Sequence, residues 1–323
     1  MALISRRRRS FALVTGITAS AILLSACTSM SSAEPENTQR HVKQIDVAAG
    51  DLPSGFADSS IVDPEWETTP QYAEGVFVGA KLHDEELEFT ATDENGAVLW
   101  SVDRPLSCSG FALSTTSAGQ HIVVLTDTET SYAEIKSTAS AYDLHTGDPV
   151  WGPVEVNGPY QGPGLVFSQP PKDFMGELGP RIALDPDSGE ISAAEEHDAQ
   201  QVLGEYDGTV LLANETEITA RAGESTDDLW AIEADEIETP PDELKPAISP
   251  WLEPGLAHLT GEDGDQDGDD SASIMIDLET GEIIEDDVDA PSEDSQAFEA
   301  ALTTPNGAAL LVRDQEHLIA TAE

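Results

Sequence analysis

Apolar residues in this chain come in short runs, such as Val76-Phe77-Val78, Ile122-Val123-Val124-Leu125, Leu165-Val166-Phe167, Val210-Leu211-Leu212 and Leu310-Leu311-Val312. Between them stand Gly, Asp, Pro and Thr, and almost no stretch carries the 3.6-residue repeat of an amphipathic helix. Runs this short, bounded by turn-forming residues, predict strands. The chain from residue 41 to residue 323 should therefore be all-β.

Residues Ala141 to Trp151 show the repeating unit most clearly. Ala141, Tyr142, Asp143 and Leu144 alternate small or apolar with polar side chains, as a half-buried strand does. His145, Thr146, Gly147 and Asp148 then supply a tight turn, with Gly147 free to take positive φ. The second strand ends in Trp151. Burying an indole removes ~150–250 Å² from water, worth up to ~4–6 kcal/mol, so one Trp per hairpin can dock neighbouring sheets.

The pattern Ala-x-Asp-x-x-Thr-Gly-x-x-x-Trp, met by Ala141, Asp143, Thr146, Gly147 and Trp151, resembles the tryptophan-docking motif of PQQ-like (quinoprotein-type) β-propellers. It returns one turn residue short as Ala91, Asp93, Gly96 and Trp100, and blurred before Leu229-Trp230. Two further copies, around Asp185-Gly189 and Asp277-Gly281, carry Ala193 and Glu285 where Trp would stand. The resemblance implies about six four-stranded blades between residues 41 and 323, or seven if Leu52 to Trp66 hides strands. The last set, from Phe298, ends one strand short. An open sheet edge invites aggregation, so residues 42–48, which alternate like a strand, are expected to complete that blade.

At the start of the chain Arg6 to Arg9 form a cationic segment, Ser10 to Leu24 an apolar one, and Leu24-Ser25-Ala26-Cys27 matches the lipobox of bacterial lipoprotein signals. Residues 1–26 are read as the signal peptide and Cys27 as the lipidated mature N-terminus; the apolar run is short for the ~20 residues of a membrane span. Export by the general secretory route or, through Arg8-Arg9-Ser10-Phe11, by a twin-arginine route both fit. Residues 28–40 are polar and without periodicity, and read as a flexible tether.

Beyond residue 26 the chain holds ten Lys and Arg against 63 Asp and Glu, a net charge of −53. That balance argues against nucleic acid as a partner, and salt adaptation explains it without invoking any partner. With Cys27 consumed by lipid only Cys108 remains, so no intrachain disulfide is expected and Cys108 reads as a small buried strand residue.

Candidate chemistry is sparse. Seven His are scattered without His-x-x-x-His spacing, and neither a Gly-x-Ser-x-Gly elbow nor a phosphate-binding loop occurs. The quinone-dependent dehydrogenases that share the repeat are roughly twice as long and use an adjacent-cysteine disulfide, calcium and cofactor-clamping side chains; this chain has no Cys-Cys pair and too few blades, so none of that family's catalytic residues is carried over and no quinone is expected. Asp263, Asp265, Asp267 and Asp269, with Gly268, resemble the start of a calcium loop, although Ile274 stands where a bidentate Glu is expected. A calcium site and a solvated acidic insertion are both open readings of it.

These features together lead to a non-catalytic, lipid-anchored propeller at the extracytoplasmic face of the cell membrane, held there by its N-terminal lipid and acting as a binding or assembly scaffold for another envelope protein. The alternative class is a quinone- or metal-dependent enzyme on a reduced propeller of the same type.

Overall fold

The computed structural model describes residues 33–106, 110–130, 135–156, 158–168, 179–195, 200–223, 225, 227–246, 255–261, 273–284 and 297–321. The signal peptide, Cys27, Cys108 and the four aspartates of the calcium-like loop lie outside them. The described chain forms six antiparallel sheets that follow one another along the sequence.

Sheet one is built from Gln71–Ala73, Val76–His83, Glu86–Asp93 and Ala97–Pro105, and sheet two from Gly110–Thr115, His121–Thr130, Ile135–Asp143 and Pro149–Val156. Sheet three has Val166–Ser168, Arg181–Leu184 and Ile191–Ala194, preceded by a single bridge between Tyr160 and Phe167. Sheet four comprises Gln201–Tyr206, Thr209–Ala213, Glu217–Ala222 and Asp228–Glu233; sheet five, Leu244–Pro246, Leu256–Gly261, Ser273–Asp277 and Ile283–Ile284. Each is an up-and-down meander, the simplest product of hairpin turns placed between short apolar runs. The all-β expectation and the placement of the units agree with this order.

The third and fourth strands repeat one device. Ala91 faces Trp100, Ala141 faces Trp151, Ala183 faces Ala193 and Ala220 faces Trp230, and an irregularity in register sits beside every one of these pairs. A small residue opposite a large one, next to a bulge, lets the indole lean out of its own sheet.

Sheet six combines both ends of the described chain in the order Lys43–Ile45, Ser60–Asp63, Glu316–Thr321, Ala309–Arg313 and Glu299–Thr303. An N-terminal strand does complete the C-terminal set, but the expected one is displaced by a place. The strand that pairs with Glu316–Thr321 is Ser60–Asp63, inside the segment set aside for a seventh blade, and Lys43–Ile45 lies outside it. The reason is burial on both faces. Ile61 packs with Leu311 and Leu318, and Val62 packs with Phe77 and Ile319, whereas Lys43 and Gln44 are exposed as suits an outermost strand.

The tether is a second correction. Glu36–His41 is a strand, paired antiparallel to the outer edge of Ala97–Pro105. Backbone pairing and the Arg40 contact with Glu88 hold it, with no residue in an apolar cluster, so the sequence shows no apolar alternation there.

If Ser60–Asp63 is the strand that completes sheet six, Ile61→Ala should cost about 2–5 kcal/mol, as emptying a buried aliphatic site does. Gln44→Ala should stay within about 0.5 kcal/mol. Urea unfolding of the two variants measures the difference.

Candidate functional site

The docking residues come together across sheets. The Trp100 indole donates to the Leu144 carbonyl at 2.8 Å, Trp151 to Pro186 at 2.8 Å, and Trp230 to Leu278 at 2.9 Å. In all three the acceptor is the residue just after a motif aspartate of another sheet. The glycine of that same turn lies against the ring: a Cβ added to Gly147 would stand 3.0 Å from Trp100, one on Gly189 2.7 Å from Trp151, and one on Gly281 2.7 Å from Trp230. With φ of +72°, +74° and +73°, these positions call for glycine on two counts.

The motif aspartates build the turns. One oxygen of Asp143 accepts from the His145 and Thr146 amides and the Thr146 hydroxyl; Asp185 does the same with Asp187 and Ser188, and Asp277 with Glu279 and Thr280. Burial works against the charge of Asp143, but hydrogen bonds from Gln120, Thr146 and His145 outweigh it and hold the carboxyl below its usual range. At Asp277 the Thr280 hydroxyl and amide have the same effect. Trp100, Trp151 and Trp230 are thus each seated on an aspartate turn of another sheet; Asp143, Thr146 and Gly147 build the turn that receives Trp100, and Ala141 faces Trp151 within sheet two.

Trp66 stands between Pro64 and Pro70, surroundings that read as a loop and give its ring no expected packing partner, yet it is buried against Gly79 and its indole donates to the Thr90 hydroxyl at 2.8 Å. It joins Val62, Leu310 and Ile319 of sheet six to Phe77 of sheet one.

Sequence reasoning missed a polar hub between sheets two, three and four. Glu205, fully buried on the first strand of sheet four, accepts from Ser114 Oγ of sheet two at 2.8 Å, from the Leu165 amide beside sheet three at 2.8 Å, and from the Gly208 amide at 2.6 Å. Burial pushes its pKa up to about 7 despite these donors. Tyr160 and Tyr206 lie close by, their hydroxyls raised in pKa first by burial and then by neighbouring charge, and the Tyr206 hydroxyl has no hydrogen-bond partner among the described residues. The residues are some fifty apart in sequence, and only the lone acid inside an apolar strand, Val202 to Tyr206, hinted at the hub.

Other polar links join sheet one to its neighbours. The Gln71 side chain spans Phe111 and Leu113, and Arg104, wholly buried, binds Asp127 at 2.6 Å and the Tyr142 hydroxyl at 2.7 Å. On the other side Glu94 accepts from Tyr72 and from Asn306 of sheet six, both at 2.8 Å. The Tyr72 pKa is pushed up to about 12, by burial first and then by Glu94.

A cleft of about 430 Å³ opens beside Arg313 and is lined by Asp63, Glu65, Trp66, Asp314 and His317. Two ion pairs border it, Glu65 with Lys81 and Arg313 with Glu316. Burial holds the His317 imidazole below its ordinary pKa. Among the described residues no three His, Cys, Asp or Glu side chains converge to hold a metal ion.

No family profile and no curated protein matches the chain. Solved structures similar to it include the PQQ-bound aldose sugar dehydrogenase from Streptomyces coelicolor, at 13% identity over 81% of this chain and 97% of that one, with a TM-score of 0.33. TolB from Acinetobacter baumannii follows at 10% identity over 82% of this chain, TM-score 0.30, and a eukaryotic initiation factor at 12% over 74%, TM-score 0.32. The matches span 55% of that TolB chain and 60% of the initiation factor.

Trp100→Ala should cost about 3–5 kcal/mol, and Trp66→Ala a similar amount, because both indoles are buried and hydrogen-bonded; denaturant melts of the two variants check this. Glu205 offers a pH test. Its folded pKa lies above the ordinary 4.5, so its stabilising contribution is full below about pH 4.5 and fades as pH rises through about 7. Melts of wild type and Glu205→Gln at pH 5 and pH 8, at one ionic strength, should show the advantage of wild type shrinking by about 3 kcal/mol.

Proposed function

We propose that this chain is a lipid-anchored, non-catalytic six-bladed β-propeller that serves as a binding or assembly scaffold on the outer face of the cytoplasmic membrane. The six sheets are its blades, Cys27 carries the lipid, and the partner is another envelope protein. Anchor and scaffold are read from Leu24 to Cys27 and from the repeat. The observation that carries the non-catalytic part is where the reactive side chains go. Glu205, Ser114, Arg104, Asp127 and Glu94 are hydrogen-bonded between sheets, and so act as mortar. Propellers host both binders and enzymes, so the site decides, and here it argues for surface contact.

Stable anchoring needs about two acyl chains, the number a diacylglyceryl cysteine supplies. Cys27→Ala should therefore leave the protein unprocessed or release it from the membrane, as fractionation and mass of the N-terminus would report. Crosslinking the wild-type protein in its native membrane should then recover one recurrent envelope protein. Stoichiometric binding of added quinone with dye reduction would instead place the chain among enzymes.

A further inference from the structure

Sheet one is the place where the repeat is exceeded. The Glu36–His41 strand lies outside Ala97–Pro105 and pairs Glu36 with Ser101, Asn37 with Trp100, Arg40 with Val98 and His41 with Ala97. A break in register falls between Asn37 and Arg40. Glu36, Asn37, Arg40 and His41 are exposed, and none of the strand's residues belongs to an apolar cluster. Beside the backbone ladder it makes the Arg40 contact with Glu88 and a 3.5 Å hydrogen bond from the Thr38 hydroxyl to the Val98 carbonyl. The contrast begins at the next residue, since Val42 and Ile45 pack into the clusters of sheet six.

The edge beneath is stronger than its cover. Ala97–Pro105 is nine residues long, with Val98, Trp100 and Val102 fixed in the interior, while the cover reaches only to Ser101. Other outer strands are blunted in the ways that discourage pairing. Pro149–Val156 carries two prolines and two register breaks, Ile191–Ala194 and Ile283–Ile284 have four and two residues, and Asp228–Glu233 is acidic at both ends. A polar strand with no residue in an apolar cluster opens locally at lower cost than one packed into the core, and the Arg40 contact with Glu88 is the main side-chain interaction it gives up.

We propose that Glu36–His41 is an exchangeable cover, and that the Ala97–Pro105 edge receives an extended segment of a partner chain, paired antiparallel in its place. A segment spanning the edge also gains the backbone groups of Val102 to Arg104, which the cover leaves to others, so it displaces the cover by ladder length. The inference rests on the scaffold role only for who supplies the segment.

The test uses the mature chain with Glu36→Cys and Ser101→Cys, which face each other, and Cys108→Ser to remove a competing thiol. Reduced, it should bind a fluorescent peptide of residues 33–41 saturably; oxidised, with the cover tied down, at least about tenfold more weakly. In the wild-type chain the amides that Ala97–Ser101 turn to the cover should exchange with solvent at least ~100-fold faster than those of Glu86–Asp93. Equal peptide binding in the two redox states, no binding when reduced, or uniform exchange would overturn the proposal. Peptide exchange without any crosslinked partner in the membrane would sink the scaffold role and leave the exchangeable edge standing.

Discussion

An indole buried between two sheets must find an acceptor for its N–H, and this requirement organises the fold. A turn of ordinary geometry would point its carbonyls to water. Here the carboxylate of Asp143, Asp185 or Asp277 gathers the turn's amides and hydroxyl to itself, and the glycine amide closes back on the aspartate carbonyl at 2.8–2.9 Å. The carbonyl of the residue after the aspartate is left facing the neighbouring indole. Asp, Thr or Ser, and Gly in one unit thus prepare the socket for a Trp supplied by another, which is why the four residue types travel together in the sequence.

Among the described residues, the junction at Ala193 shows what replaces such a socket. Ala193 stands in sheet three at the Trp position, and sheet three also begins with a single bridge in place of a first strand. Sheets three and four are held by smaller apolar residues, Val166, Ala183 and Ala193 packed against Val202, Val210 and Leu212, and by polar contacts beside them: Glu205 to the Leu165 amide, and Arg181 to the Val202 carbonyl at 3.0 Å. A buried carboxylate is costly unless its oxygens are satisfied. Three donors from three places meet that need, and they leave Glu205 the titratable point among otherwise apolar packing.

Strand positions and the indole sockets were legible in the sequence because each depends on residues close together: alternation over a few positions, or Asp, Thr, Gly and Trp within eleven. The hub was not, since Ser114, Leu165 and Glu205 are brought together by stacking of sheets and no local pattern records that. Trp66 was misjudged for a related reason, because its Pro-rich surroundings describe the backbone and say nothing of Gly79 beneath the ring. The Glu36–His41 strand left no trace, since a strand held mainly by its backbone ladder carries no apolar alternation, and the Arg40–Glu88 pair joins residues 48 apart. Ser60–Asp63 was readable, with two adjacent apolar residues fit for burial on both faces, but Lys43 to Val47 offered the cleaner alternation.

The same separation of local and distant effects governs the charge. Exposed carboxylates in such excess repel one another, and salt screens them over about 10 Å at 0.1 M. All five arginines beyond residue 26 are paired with acids, as Arg40 with Glu88, Arg104 with Asp127, Arg181 with Glu195, Arg221 with Asp228 and Arg313 with Glu316. Arg104 is the one sealed from solvent, where ions cannot screen it and where loss of its partner would strand a charge in the core. The acidic surface therefore answers to the ionic strength of the medium, while the contacts between sheets answer to burial, and only the second set determines how the sheets are joined.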